Sequence, residues 1–170
     1  MWGKIKILFV PLRTKLDRCI MIVFSGKSES KIDAKGRVFI PAVFRIQLPE
    51  NDRERVVVRM DVSNKYLVIY PENVWQNKVL DLQKKLNEWD ANDQLLLMRF
   101  VEDAEILDID SQGRILLPKR FISAMNIVSE TVFVGLVDRI ALWNKPAYLE
   151  FQNSQPDLSD ILRNKLTSES

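Results

Sequence analysis

Apolar and polar positions alternate along this chain at two periods, and the periods change in the same order twice. From Ser25 to Asp33, Lys27, Glu29, Lys31 and Asp33 share one side, while Ser28, Ser30 and Ile32 share the other. That is the period-two signature of a strand with one solvated face. Arg37-Val-Phe-Ile40 reads as a second, more apolar strand. Pro41 follows; it has no N–H to lose and suits the first turn of a helix. Val43, Phe44 and Leu48 then recur at near-helical spacing before Pro49. Residues 50–54 read as a polar loop, and Arg55–Met60 and Tyr66–Tyr70 as strands joined by a turn over 61–65. Pro71 opens a longer helix with Val74, Trp75, Val79, Leu82 and Leu86 on one stripe. Asn92-Asp93 predicts the N-cap of another helix running through Phe100.

The pattern then starts again. Ala104–Asp110 and Ile115–Leu117 read as strands and Pro118–Met125 as a short helix. Thr131–Leu136 and Arg139–Trp143 read as strands, with Pro146 opening a helix that Ser154–Pro156 breaks. Asp157–Leu166 is expected to add a last amphipathic turn or two, and residues 167–170 to fray.

Both runs contain the same charged turn. The first reads Asp33-Ala-Lys-Gly36-Arg37-Val-Phe-Ile-Pro41-Ala-Val-Phe44, the second Asp110-Ser-Gln-Gly113-Arg114-Ile-Leu-Leu-Pro118-Lys-Arg-Phe121, 77 residues later. A repeat of this length means two copies of one supersecondary unit. Here the unit is strand, D-x-x-G-R turn, strand, short helix, strand, strand. Aspartate can accept hydrogen bonds from the backbone two residues on, and glycine reaches φ > 0 without strain. Asp33, Gly36, Asp110 and Gly113 are therefore turn formers. Neither copy carries enough apolar surface to stand alone. The expected fold is α+β, with the copies packed about a pseudo-two-fold axis into one small β-barrel flanked by helices. The expected boundaries are a first repeat over 27–74, a helical linker over 75–102, a second repeat over 103–146, and a C-terminal helix and tail over 147–170.

Composition narrows the chemistry. There is no histidine and one cysteine. That removes Cys/His and Ser/His/Asp nucleophile systems, zinc sites built on His or paired Cys, and an internal disulfide framework. It also points to a reducing, intracellular setting. No apolar run approaches the ~20 residues of a membrane span, and no phosphate-loop spacing occurs. No catalytic, metal or cofactor site is expected, and an enzyme would have to work with carboxylates alone. Phe39, Phe44, Phe121, Phe133 and Trp143 fall on apolar faces and are expected in the core, not on a base-stacking platform.

The net charge of +2 conceals two asymmetries. Residues 1–20 hold five basic side chains, one acid and the lone Cys19; the remainder is net −2. The pattern also breaks at Met21, so residues 1–20 are expected to be an extension outside the fold, with Met21 beginning the functional protein. The alternative is an amphipathic N-terminal arm. The copies differ as well: Lys27 to Arg37 is net +2, whereas Glu102 to Arg114 is net −4. Arg37 follows a tight turn, which gives its planar donor fork a direction suited to phosphate or to a guanine edge in the major groove. Lys27, Lys31, Lys35 and Arg45 are candidates to surround it. The alternative is an Asp33–Arg37 ion pair that only staples the turn. The acidic second copy, with Arg114 as a turn residue, reads as structural or as a protein–protein surface.

The tandem D-x-x-G-R segments, each followed by an apolar triplet and Pro, resemble the MraZ family of bacterial transcriptional regulators, built from two SpoVT-AbrB-type repeats. Phe24-Ser-Gly26 resembles that family's short start, and the resemblance covers roughly residues 21–150. It implies a cytoplasmic, nucleoid-associated, non-enzymatic protein that binds double-stranded DNA without a cofactor. It also implies a ring-like homo-oligomer on short direct repeats in promoters upstream of division and cell-wall genes, several hairpins offsetting weak affinity per copy. By this resemblance Arg37 and Lys35 are DNA contacts. At the matching second position Gln112 replaces a basic option, so that copy is expected not to touch DNA. An antitoxin-like module of the same superfamily, its C-terminal tail wrapped on a toxin, is the other reading; the second repeat and the helical linker argue against it.

Overall fold

The structure is a computed structural model describing residues 23–49 and 53–167. The basic segment 1–20 and Met21 lie outside the described residues. In chain order the elements are β1 (Lys27–Lys31), β2 (Arg37–Phe39), α1 (Ala42–Arg45), β3 (Arg55–Met60), β4 (Leu67–Pro71), α2 (Glu72–Lys85) and α3 (Ala91–Glu102). The order then repeats with β5 (Glu105–Asp108), β6 (Arg114–Leu116), α4 (Lys119–Ala124), β7 (Glu130–Gly135), β8 (Ile140–Asn144), α5 (Lys145–Ser154) and α6 (Leu158–Thr167).

The fold is α+β with antiparallel sheets. Six strands pair in the order β1-β7-β8-β4-β3-β5, and β2 pairs with β6 in a separate ribbon. Exchanging each strand of one repeat for its counterpart in the other reverses the six-stranded order onto itself. A pseudo-two-fold axis therefore passes through both sheets, between Val38 and Ile115 in the ribbon and between Val68 and Ala141 at the β4–β8 seam. Neither repeat forms the sheet by itself, because β1 pairs with β7 and β3 with β5. Among the described residues, strand pairing ends at β1 and β5 without closing a barrel.

Sheet and ribbon share one core. Val38, Ile40, Ile115 and Leu117 face Val56, Val58, Leu67, Ile69, Phe133, Ile140 and Leu142 across it. Phe44 and Phe121, equivalent in the two repeats, are both fully buried there. The Phe44 ring meets Phe24 edge-on at 6.4 Å and stacks on Phe133 at 6.5 Å. The opposite face of the large sheet is covered by helices. Trp143, Val132 and Tyr148 form one cluster under α5, and Val57, Val68 and Tyr70 form another with Trp75 of α2. Both helices follow the last strand of a repeat.

Two expectations need correction. Phe39 is 48% exposed, because Val38 and Ile40 alternate inward and period two turns Phe39 out. Val43 is likewise exposed beside buried Phe44. Helix α3 is capped by Asp90, not by Asn92-Asp93: the Asp90 carboxylate accepts from the N–H groups of Asn92 and Asp93. Asp93 instead accepts from the Asn87 N–H at 2.8 Å.

Candidate nucleic-acid interface

The two turns are geometric duplicates. In the first, Asp33 Oδ1 accepts from the backbone N–H groups of Lys35 and Arg37, both at 2.9 Å, and Oδ2 accepts from Arg37 Nε at 2.7 Å. In the second, Asp110 accepts from Gln112 N and Arg114 N at 2.9 Å and from Arg114 Nε at 2.7 Å. Gly36 and Gly113 close the turns at φ +87° and +82°, where a side chain would be strained. These bonds favour ionised carboxylates. The backbone N–H of Arg37, then its side chain and the N–H of Lys35, hold Asp33 below the usual carboxylate range; Arg114 and Gln112 do the same for Asp110.

Arg37 and Arg114 thus both staple their own turns, and they differ in what else they touch. The Arg114 guanidinium lies 5.6 Å from the Phe39 ring, and its side chain is 18% exposed. Arg37 stands opposite Leu116 in the ribbon, and its side chain is 34% exposed. Lys35 lies within the first turn, and Lys31 ends β1 one residue before Ile32, which bridges Val38; both lysines are exposed. Lys27 is not with them: it begins β1, about 13 Å away at the rise of a strand, and its Nζ sits 5.6 Å from the Tyr148 ring.

The fold moves charge between the repeats in ways that spacing along the chain does not reveal. Arg45 does not join Arg37; it crosses to the second turn, where Nη1 donates to the Gln112 carbonyl at 3.1 Å. Its counterpart Ile122 packs behind Gly36 of the first turn. The exchange follows from the ribbon, whose Ile40 N–H donates to Gly113 O and whose Leu117 N–H donates to Gly36 O. Arg120 neutralises two acids of the second copy, reaching Asp103 at 2.9 Å and Glu105 at 2.7 Å. Lys145 pairs with Glu29 at 2.8 Å and also approaches Glu130. The one acid between Lys27 and Lys31 is therefore neutralised from α5. Sequence reasoning missed Arg45, Arg120 and Lys145 in these roles; each reaches a partner on another element, Arg45 and Lys145 in the other repeat.

Among the described residues no group of three or more acidic or cysteine side chains could hold a metal ion, and no helix is long and apolar enough to cross a membrane. The family model described as "MraZ protein, putative antitoxin-like" matches residues 23–97 and again 100–166, taking in one D-x-x-G-R turn each time. The chain belongs to the MraZ family. It is similar to the "Transcriptional regulator MraZ" of Bacteroides fragilis, 46% identical over 125 residues, 74% of this chain and 79% of the relative. The MraZ of Phocaeicola vulgatus is 45% identical over 122 residues, 72% of this chain and 79% of the relative. That of Pediococcus pentosaceus is 32% identical over 146 residues, 84% and 96% of the two chains. MraZ proteins are transcriptional regulators, not enzymes.

Proposed function

We propose that this MraZ chain binds double-stranded promoter DNA as a ring-like homo-oligomer, at short direct repeats upstream of division and cell-wall genes. Its place is the cytoplasm, on the nucleoid. The observation that carries the reading is the first hairpin: it bears exposed Lys31 and Lys35 with Arg37 after the turn, and Glu29, the acid between Lys27 and Lys31, is held by Lys145. A two-stranded ribbon fits the major groove, with lysines for phosphates and the arginine fork for a base edge. Arg114, half as exposed and set against Phe39, serves its turn. Lys27 lies too far along β1 to share that contact and is assigned to the flanking backbone. The repeats at 27–74 and 103–146, linked by 75–102, would form one barrel-like unit around their common core, leaving the helices to contact neighbouring subunits.

The test is paired. Anisotropy with duplex DNA from the region upstream of the chain's own reading frame, at fixed salt, should show Arg37→Ala losing about 1–3 kcal/mol of binding per engaged subunit. Arg114→Ala should bind nearly as wild type, provided light scattering shows the same assembly for all three proteins. Loss confined to Arg114→Ala would reverse the assignment, and a monomer at micromolar concentration would remove the ring. The antitoxin-like reading draws on α6, whose Leu158, Ile161, Leu162 and Leu166 are all exposed; a tail-bound protein partner that survives purification would favour it.

A further inference from the structure

On the helix-covered face of the large sheet, a basic cleft surrounds a buried arginine. Arg59 lies on β3, paired with Val68 of β4, and is only 7% exposed. Its Nε is buried and has no hydrogen-bond partner. Its guanidinium carbon sits 4.3 Å from the Phe100 ring centroid and 5.9 Å from that of Trp75, two rings that stack on each other at 5.3 Å. Leaving a buried charged donor unpaired is costly. The stack of two aromatic faces holds the charge in place by cation–π attraction without satisfying the N–H.

The guanidinium lines a cavity of 690 Å³ between β3, β4, α2 and α3, and also a neighbouring one of 510 Å³. Small-molecule sites run to roughly 300–1,000 Å³. Four more cations line the larger cavity: Arg99, Lys85, Lys78 and Arg139. Lys78 and Arg139 share one acid, Asp138, at 2.7 and 3.3 Å. Arg59, Arg99 and Lys85 have no ion pair among the described residues. The lining acids keep their charge: Asp61 accepts from the Ser63 N–H and hydroxyl, Asp81 pairs with Lys84 at 3.1 Å, and Glu102 lines the neighbouring cavity. Five cations against two acids leave the lining of the larger cavity with an excess of positive charge, beside an aromatic floor and around a buried fork with an unused donor.

We infer that this cleft binds a small molecule carrying two or more phosphates, with Arg59 as its fixed fork and Arg99 and Lys85 as its rim. A polyanion matches this excess of positive charge, and phosphate oxygens accept from an arginine fork with charge-assisted strength. A monocarboxylate would leave most of that excess in place. The site is built from α2, α3 and the outer sheet face, and the turn with Lys31, Lys35 and Arg37 contributes nothing to it.

The experiment is calorimetric titration of the full chain with sodium pyrophosphate at fixed ionic strength, with sodium sulfate as the comparison. Saturable binding at one site per subunit is expected, tighter than for sulfate. The exposed-rim double variant Arg99→Gln/Lys85→Gln should weaken it at least tenfold while the thermal midpoint of the unliganded protein stays unchanged. Arg59→Lys should weaken it similarly, and Lys31→Ala/Lys35→Ala should leave it intact. Absence of saturable binding, or affinity indifferent to Arg99 and Lys85, overturns the inference. A second arm distinguishes free phosphate groups from those of DNA. If pyrophosphate competes with the upstream duplex and the rim variant loses DNA affinity in step, the cleft belongs to the DNA path and the small-molecule assignment falls. Independent binding of the two supports it, whichever turn proves to touch DNA.

Discussion

Asp33 and Asp110 each accept three hydrogen bonds from their own turns, two from backbone and one from an arginine. All of these bonds prefer the carboxylate, so both folded groups titrate below the ordinary value of 3.8. The sign follows from linkage: a depressed folded pKa gives stability that is present above the unfolded value and lost as pH falls through the folded one. The thermal midpoint should therefore drop as pH is lowered past about 3.8. In Asp33→Asn/Asp110→Asn it should start lower at pH 7 and fall less. Scanning calorimetry between pH 7 and pH 2.5 checks this; a gap between the two proteins that is as wide at the acid end as at neutrality refutes it. These roles were legible in the sequence, since Asp and Gly at fixed offsets have few other uses. The charge around the turns was not. A window along the chain counts Asp103 and Glu105 as free acid and assigns Arg45 to the nearest turn. The fold pairs those acids with Arg120 and sends Arg45 to the other repeat.

The helices show at the scale of elements what periodicity can locate. The stripe of Val74, Trp75, Val79 and Leu82 on α2 was visible as spacing; Leu86, placed on it from the sequence, is the extended residue after the helix, and all five are half-buried. The start of α3 was not visible, because Asp90, Asn92 and Asp93 all have capping side chains. Backbone geometry decides among them: Asp90 has extended dihedrals, φ −95° and ψ 121°, which let its carboxylate reach the N–H groups of Asn92 and Asp93. Asp90→Ala should accordingly cost about 1 kcal/mol. That lowers the thermal midpoint by roughly 2–4 °C in a protein of this size. Asn92→Ala, inside the helix, should have little effect. Equal losses for both would return the cap to the later position. Phe39 marks the limit of pattern reading on short strands: β2 has three residues, too few for alternation to say which side faces the core.

The whole molecule is a near-symmetric object with an asymmetric surface. Its core, pairing order and turns obey the pseudo-two-fold axis. The repeat 77 residues apart made that symmetry readable; the interleaving of strands from both repeats in one sheet was not, because pairing partners leave no mark on local spacing. The symmetry means that one subunit presents two hairpins of the same shape and unlike charge. Only the first has Lys31 and Lys35 near its arginine, whereas the second has Asp108 and Gln112 at the corresponding positions. If the first hairpin alone meets DNA, counterion release should scale with its lysines. The logarithm of the binding constant should fall linearly with the logarithm of salt, at about 0.9 per phosphate neutralised. Lys31→Ala/Lys35→Ala should then reduce the slope by about 2 for each engaged subunit. Sequence preference should persist, because the base-reading fork of Arg37 is retained. A ring engaging several subunits multiplies the slope change, so the titration also counts hairpins on the DNA. Anisotropy titrations across salt concentrations, with the upstream duplex and a scrambled one, measure both quantities. An unchanged slope in an assembled double variant would show that the phosphates are met elsewhere on the ring.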